Sequence, residues 1–247
     1  MNISTFIKHS TFKLSLISLA SLGGLAITTT SALAVGLNLS GWEKFGDAIT
    51  SGDGANLSTA SLNFADDAPA SPGAFNYSGI AAGEAGSYPD LQDFLGLTDS
   101  SALDIEGFAF EGSAIKNTIT VAAGDALSFD WNFRTNETVN KDFAFLLVDS
   151  TLIKLADFTD ATQADSPFLQ QTGIRSYTFS TPGTYSVAFG VVDVDDYGIT
   201  SALEVKNAAI KRVPEPATLV GALMVFACGI GMQRRCRKKT VASNTAF

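Results

Sequence analysis

The stretch that decides the fold lies near the middle of the 247-residue chain and reads Leu127-Ser128-Phe129-Asp130-Trp131-Asn132-Phe133. Its four apolar residues alternate with three polar ones, and successive side chains of a β-strand point to opposite faces. The pattern therefore predicts a strand with one apolar face and one face in water, as in antiparallel sheets. In this phase Trp131 belongs to the core rather than to a sugar-stacking surface. For Trp42, the sequence does not decide between packing in the core and stacking on a sugar.

The same period of two continues on the C-terminal side of this stretch. Further strands are predicted around Phe143–Leu147, Phe179–Val191 and Leu203–Val205. Gly124-Asp125 has the composition of a hairpin turn, and Pro182-Gly183 marks another turn. Seven to nine short strands at this spacing predict an all-β, antiparallel two-sheet sandwich, with the jelly roll as the most plausible topology.

The N-terminal side of the same domain is less regular. Residues 36–47 predict two short strands and a turn, and residues 50–88 have the Gly, Ala, Ser, Asp and Pro composition of a long loop. Residues 91–95 carry apolar side chains at helical spacing. They predict one short helix that Asp90 caps and Gly96 ends.

The first 34 residues have the layout of a secretory signal peptide. Two lysines precede an apolar run over residues 14–27, and the small residues Ala32 and Ala34 complete an A-x-A site. Cleavage is predicted after Ala34. A buried N-terminal helix is the alternative, but the run is not amphipathic.

The C-terminal end combines a motif, an apolar span and a basic cluster. The motif is Val213-Pro214-Glu215-Pro216, and the span over residues 217–232 would cover about 24 Å as a helix, a little less than the ~30 Å bilayer core. The basic residues that follow are Arg234, Arg235, Arg237, Lys238 and Lys239. By the positive-inside rule they orient the span, with residues 240–247 as a short cytoplasmic tail and the body on the far side of the membrane. An ordinary single-pass anchor is the alternative.

This order of motif, span and basic cluster resembles the PEP-CTERM sorting signal of Gram-negative bacteria and cyanobacteria. The resemblance implies recognition by an exosortase, a membrane-embedded cysteine peptidase. It also implies removal of the tail near Pro214-Glu215-Pro216, with release of the body or its transfer to the cell surface.

The body also resembles a subset of uncharacterised PEP-CTERM proteins over roughly residues 90–210. The stretches that carry the likeness are Phe94-Leu95-Gly96-Leu97, Leu103-Asp104, Glu111-Gly112-Ser113-Ala114, Ala123-Gly124-Asp125, residues 127–133 and Asp142-Phe143-Ala144-Phe145. More distantly the strand pattern looks like carbohydrate-binding jelly rolls. Those often finish on a strand carrying an Asp, where this chain has Lys206-Asn207.

Charge is distributed unevenly along the chain. The body, residues 35–212, carries 24 of the 25 acidic residues but only 9 of the 16 basic ones, so its formal net charge is −15. Such a body has no electrostatic attraction for nucleic acid or anionic lipid. Solubility outside the cell and binding of divalent cations are the two interpretations of this charge.

The body contains neither histidine nor cysteine, because His9 lies in the predicted signal peptide, Cys228 in the apolar span and Cys236 in the basic cluster. Ser-His-Asp and Cys-His catalysis, zinc sites built on His or Cys, and disulfides are therefore excluded from it. Carboxylate chemistry remains, with Glu111, Asp130, Glu137 and Asp142 as candidates for glycoside hydrolysis. No motif pairs them, and outward side chains are the default for Asp130 and Asp142, so no catalytic residue is predicted.

One segment resembles a calcium-binding loop. Asp193, Asp195, Gly198 and Glu204 occupy positions one, three, six and twelve of the loop pattern, but Tyr197 fails at position five. The flanking segments alternate as strands, whereas helices bracket the EF-hand loop. The pattern favours an acidic hairpin loop without an ion, and weak calcium binding by Asp193, Asp195 and Glu204 is the alternative.

These features predict four regions: a signal peptide (1–34), an exported β-sandwich domain (35–212), a sorting signal (213–239) and a short tail (240–247). The expected partners are the secretory translocon, signal peptidase and an exosortase, with transient insertion in the inner membrane and no nucleic acid. We expect a cell-surface or extracellular-matrix protein without catalytic activity or a required cofactor. A carbohydrate-binding module associated with exopolysaccharide is the alternative.

Overall fold

The structure, a computed structural model, describes residues 33–63, 65, 70–86 and 90–212. These residues belong to one compact unit. The predicted signal peptide up to Ala32, the sorting motif, the apolar span and the basic cluster lie outside the described residues. Within the described ranges, no helix is long and apolar enough to cross a membrane.

Fourteen strands account for most of the described chain. In chain order they are β1 (Leu33–Gly36), β2 (Glu43–Phe45), β3 (Asp47–Ser51), β4 (Gly54–Ser58), β5 (Gly83–Glu84), β6 (Ala109–Val121), β7 (Ala126–Thr135), β8 (Phe143–Val148), β9 (Thr151–Asp157), β10 (Gln163–Ala164), β11 (Gln170–Gln171), β12 (Arg175–Phe179), β13 (Gly183–Val194) and β14 (Ser201–Arg212). The described residues also include one α-helix, α1 (Leu91–Leu95), and the 3₁₀ turns Leu39–Gly41 and Phe158–Asp160.

The strands form two antiparallel sheets. The larger sheet has eight strands in the order β10-β11-β7-β14-β4-β3, with β12 added to β7 and β1 added to β14. The smaller sheet has six strands in the order β2-β6-β13-β8-β9, with β5 added to β6. The predicted all-β class with two antiparallel sheets is confirmed.

A hydrophobic cluster shared by both sheets makes the fold β-sandwich-like. Phe129 and Leu203 of the larger sheet pack in one cluster with Ile115 and Phe189 of the smaller sheet. Trp131 is 6% exposed and belongs to this cluster, as its phase in the sequence predicts. Trp42 also belongs to it, stacked on Phe189 at a centroid distance of 5.6 Å. Neither indole is therefore free to stack on a sugar.

Helix α1 covers the outer face of the smaller sheet. Leu91 and Leu95 pack there against Phe143 and Phe145 of β8. The helix begins where the Asp90 carboxylate accepts a hydrogen bond from the backbone N–H of Asp93, at 2.8 Å. It ends at Gly96, whose left-handed φ of 77° is favourable for glycine. The prediction of one short helix with these two ends is confirmed.

The two turn assignments need correction. Gly124-Asp125 does not close a hairpin, because β6 lies in the smaller sheet and β7 in the larger one. The segment from Asp193 to Glu204 is likewise no hairpin, since β13 and β14 lie in different sheets. Each turn carries the chain between sheets. Turn composition alone does not reveal which strand becomes the hydrogen-bonded neighbour.

The strand predictions were also too few and too short. Residues 50–58 are not loop: β3 and β4 pair as a hairpin, and β4 continues the sheet beside β14. Small residues such as Ala55 fill this strand because its inner face meets large core side chains. The polar face of β7 is less exposed to solvent than predicted, because Ser128 and Asn132 are both only 6% exposed.

Candidate functional site

One end of the interior between the sheets is polar. The inward-facing side chains of β13 change there from apolar to acidic. Val187, Phe189 and Val191 alternate toward the shared hydrophobic cluster. Asp193 is the next residue in this row, and it lies opposite Glu111 of β6 in the strand register. Directly opposite residues of antiparallel strands have Cβ atoms about 5 Å apart. The fold therefore brings two acidic side chains together at the edge of its core.

Asp193 is almost completely enclosed. The residue is 1% exposed, and its Oδ1 atom has no hydrogen-bond partner. Burial raises the pKa of its carboxyl to about 11, and the negative charges of Asp142, Asp196, Glu111 and Glu137 raise it as well. An ionised carboxylate in this position would have lost water, and its Oδ1 would have no donor in exchange.

Asp142, just before β8, lies beside Asp193. Its Oδ1 accepts a hydrogen bond from the backbone N–H of Val194 at 3.0 Å, and its Oδ2 accepts one from Ser201 Oγ at 2.7 Å. The expected outward orientation of Asp142 is wrong, because the residue is only 1% exposed. Burial raises the pKa of its carboxyl well above the usual range, although both hydrogen bonds lower it.

Glu137 follows β7 at the same end and is 2% exposed. Its carboxylate accepts hydrogen bonds from the backbone N–H groups of Thr138, at 3.2 Å, and Asn140, at 2.8 Å. Its own backbone N–H donates to Thr135 Oγ1, which shares a 2.7 Å hydrogen bond with Ser201 Oγ. A hydroxyl network thus connects Glu137 to Asp142.

We call Glu111, Glu137, Asp142, Asp193 and Asp196 the carboxyl cluster. In the described part of the chain, no ion pair includes Glu137, Asp142, Asp193 or Asp196. Glu137, Asp142 and Asp196 accept hydrogen bonds from backbone N–H groups, the Ser201 hydroxyl and the Asn140 amide. Within the described residues, these four acidic groups therefore lie together without an ion pair to lysine or arginine.

A cleft of about 770 Å³ opens next to the carboxyl cluster. Glu111 and Asp196 belong to its wall, together with Glu84 and Tyr197. The Tyr197 hydroxyl donates a 2.9 Å hydrogen bond to the Glu84 carboxylate. Burial and this hydrogen bond raise the pKa of Tyr197 to about 12. The cleft is acidic, and it connects the cluster to solvent.

The three residues of the calcium-loop pattern are not brought together. Asp193 faces the interior, whereas the Asp195 carboxylate accepts a 2.9 Å hydrogen bond from the backbone N–H of Phe108. Glu204 lies on the outer face of the larger sheet, because its neighbours Leu203 and Val205 face the core, and it pairs with Lys206. No set of three or more acidic, His or Cys side chains within the described ranges is arranged to hold a metal ion.

Asp130 lies apart from the carboxyl cluster, on the outer face of the larger sheet. Its carboxylate accepts hydrogen bonds from Ser176 Oγ at 2.6 Å and Asn207 Nδ2 at 2.7 Å, and both lower its pKa. These three residues line a groove of about 370 Å³ that also includes Lys211. Asn207 has a left-handed φ of 54° at an irregularity in the pairing of β14.

Sequence reasoning recognised Glu111, Glu137 and Asp142 as candidates but did not bring them together, and it placed Asp193 in a loop. One signal could have corrected the last assignment. The alternation that includes Val187, Phe189 and Val191 predicts an inward side chain at position 193 if the strand is extended by two residues. The pairing of Asp193 with Glu111 has no such signal, because it depends on the register of β6 and β13.

Comparison with known proteins does not assign the site. No protein-family model matches this chain, and no curated protein is similar to it.

Proposed function

We propose that this chain is an exported cell-surface or extracellular-matrix protein whose β-rich body is sorted by an exosortase and has no catalytic activity. The observation that carries the proposal is the order of Val213-Pro214-Glu215-Pro216, an uncharged span and five basic residues. A short span followed by basic residues is inserted with the body on the far side of the membrane. Signal peptidase and the secretory translocon act at the other end of the chain.

The position of the last strand is compatible with removal of the tail. Strand β14 ends at Arg212, one residue before the motif. A cut within residues 213–216 would therefore leave every hydrogen-bonded pair of the larger sheet in place.

Cleavage of the signal peptide after Ala34 would have a small structural effect. It would remove Leu33 and Ala34 from β1, which pair with Arg212 and Lys211. Val35 and Gly36 would keep their positions beside β14, and the Leu37 N–H would still donate to the Ala208 carbonyl at 2.7 Å. We further propose that the two sheets have jelly-roll topology.

Two glutamate variants of the full chain test the sorting proposal. Glu215→Gln changes the motif, and Glu204→Gln is its matched control on the outer face of the larger sheet. Each variant is expressed in a host with an exosortase, and mass spectrometry determines both termini in membrane and surface fractions. We expect Glu215→Gln alone to retain its tail and stay in the inner membrane. Normal release of Glu215→Gln, or intact tail peptides on the wild-type surface protein, would refute the proposal.

Carbohydrate binding is a second candidate, favoured by the groove around Asp130. Its carboxylate is held by Ser176 and Asn207, and fixed polar groups of this kind suit sugar hydroxyls. A glycan array with the wild-type protein and Asp130→Asn tests it, with Asp99→Asn at an exposed turn as the control. Glycan binding that only Asp130→Asn reduces supports this function. If the array shows no binding, or if all three proteins bind equally, carbohydrate binding by this groove is excluded.

A further inference from the structure

The proposed sorting function gives no role to the buried carboxyl groups of the carboxyl cluster. Asp193 is buried with Oδ1 unpartnered, and Glu111 lies directly opposite it. Like charges directly opposite in a sheet are destabilising, and a buried charge is costly unless it is paired. Asp193 therefore has either to keep a proton or to take up a cation.

The surroundings favour a cation that can arrive from solvent. Glu111 and Asp196 line the cleft, so one side of the cluster is open to water and ions. The charges that face Asp193 are those of Asp142, Asp196, Glu111 and Glu137, and all four are acidic. With a formal body charge of −15, cations are also concentrated around the whole molecule.

We propose that the carboxyl cluster binds a divalent cation of the calcium type, with Asp193 Oδ1 and the Glu111 carboxylate as its protein ligands at the end of the cleft. This site is independent of the proposed sorting function. It also differs from the calcium-loop pattern, because it requires Glu111 and does not use Glu204.

The donor chemistry selects the class of ion. The side chains at the site offer only oxygen atoms, which calcium and magnesium prefer, and calcium tolerates an irregular shell of six to eight ligands. Because no three acidic side chains already converge, water from the cleft has to complete the shell. Few protein ligands and little preorganisation give a weak site, in the range of about 10⁻⁴ to 10⁻³ M found in extracellular modules.

Calcium titration of the purified exported protein tests the proposal, with melting midpoints measured in chelator and in about 10 mM calcium. We expect a rise of about 3–5 °C for the wild-type protein. Asp193→Asn and Glu111→Gln should each abolish the rise, whereas Glu204→Gln should retain it.

The variants separate the alternatives. Asp193→Asn keeps the shape of the side chain, and circular dichroism checks that both cluster variants are folded. If one does not fold, the other variant still decides the question. Identical wild-type midpoints in calcium and chelator mean that the cluster binds no cation and overturn the proposal. A rise that Glu204→Gln removes, or that both cluster variants retain, places calcium elsewhere and overturns it too.

Discussion

Strand β13 contains two regions that differ sharply in how they are stabilised. In its middle, Phe189 stacks on Trp42 and meets Phe129 edge to face, at centroid distances of 5.6 and 4.7 Å. Four residues later on the same face, Asp193 is equally buried but has an oxygen without a partner. The aromatic region stabilises the fold by excluding water. The same exclusion destabilises an ionised Asp193.

A second buried carboxyl group shows that burial alone is not the cause. Asp47, at the start of β3, is also completely enclosed. Its carboxylate accepts hydrogen bonds from the Ser58 hydroxyl and from the backbone N–H groups of Tyr77 and Ser78, at 2.7 to 3.0 Å for the N–H groups. The Asp47 carboxylate therefore holds the loop at residues 77–78 in place. Asp193 Oδ1 has no such donors, so this carboxyl group has to keep a proton or bind a ligand. The following predictions test this difference.

The largest effect is expected in the aromatic region. Phe189→Ala removes a fully buried ring that contacts residues of both sheets, so the free energy of unfolding should fall by about 3–5 kcal/mol. Urea denaturation at pH 6 measures the change. Phe108→Ala is the matched control, because that ring is 72% exposed, and it should have little effect. Equal losses for the two variants would contradict the assignment of Phe189 to the core.

Asp47→Ala should be the next most damaging change. It removes the acceptor of three donors and leaves buried polar groups without partners, at a cost of roughly 2–4 kcal/mol. Asp99→Ala, at an exposed turn, should cost far less. The same denaturation experiment compares them, and a loss below about 1 kcal/mol for Asp47→Ala would show that its hydrogen bonds are not needed.

Asp193→Asn should act in the opposite direction. The pKa of Asp193 is raised in the folded protein, so the folded state keeps a proton that the unfolded chain loses above about pH 4. In chelator, the stability of the wild-type protein should fall as pH rises from 5 to 9, by up to about 1.4 kcal/mol per unit. Asp142 contributes in the same direction. Asp193→Asn should reduce this slope and be more stable than the wild type at pH 8.

The pH range in this experiment separates the cluster from ordinary surface carboxylates. Hydrogen bonds to Lys141 and Lys154 lower the pKa of Glu106, and hydrogen bonds to Ser176 and Asn207 lower that of Asp130. These groups lose their contribution only as pH falls through their lowered pKa values. A wild-type stability that rises between pH 5 and 9 would contradict the protonated state of the cluster.

The smallest effect is expected at the outer face of the larger sheet. Asp130→Asn keeps a side chain that can still bond with Ser176, and the site is open to solvent, so stability at pH 7 should change by less than about 1 kcal/mol. A thermal melt beside Asp193→Asn provides the comparison. A large loss for Asp130→Asn would mean that the groove is part of the core rather than an open surface.

The sequence by itself determined the local features of this protein. Alternation over residues 127–133 predicts β7 and the burial of Trp131, because a strand has a fixed period of two. Asp90 and Gly96 predict the ends of α1, because capping and left-handed backbone are local properties. Composition likewise leaves residues 35–212 with carboxylates but without histidine or cysteine, and the proposed sorting motif is a linear pattern.

Only the tertiary structure decided which acidic residues meet. Glu111 and Asp193 are 82 positions apart in the sequence and become neighbours through the register of β6 and β13. Asp142 reaches the same place because Val194 and Ser201 hold it there. The turns at residues 124–125 and 195–200 pass between sheets, so pairing depends on the packing of distant strands. Long-range pairing and burial set the charge state of the cluster, and no local pattern encodes either of them.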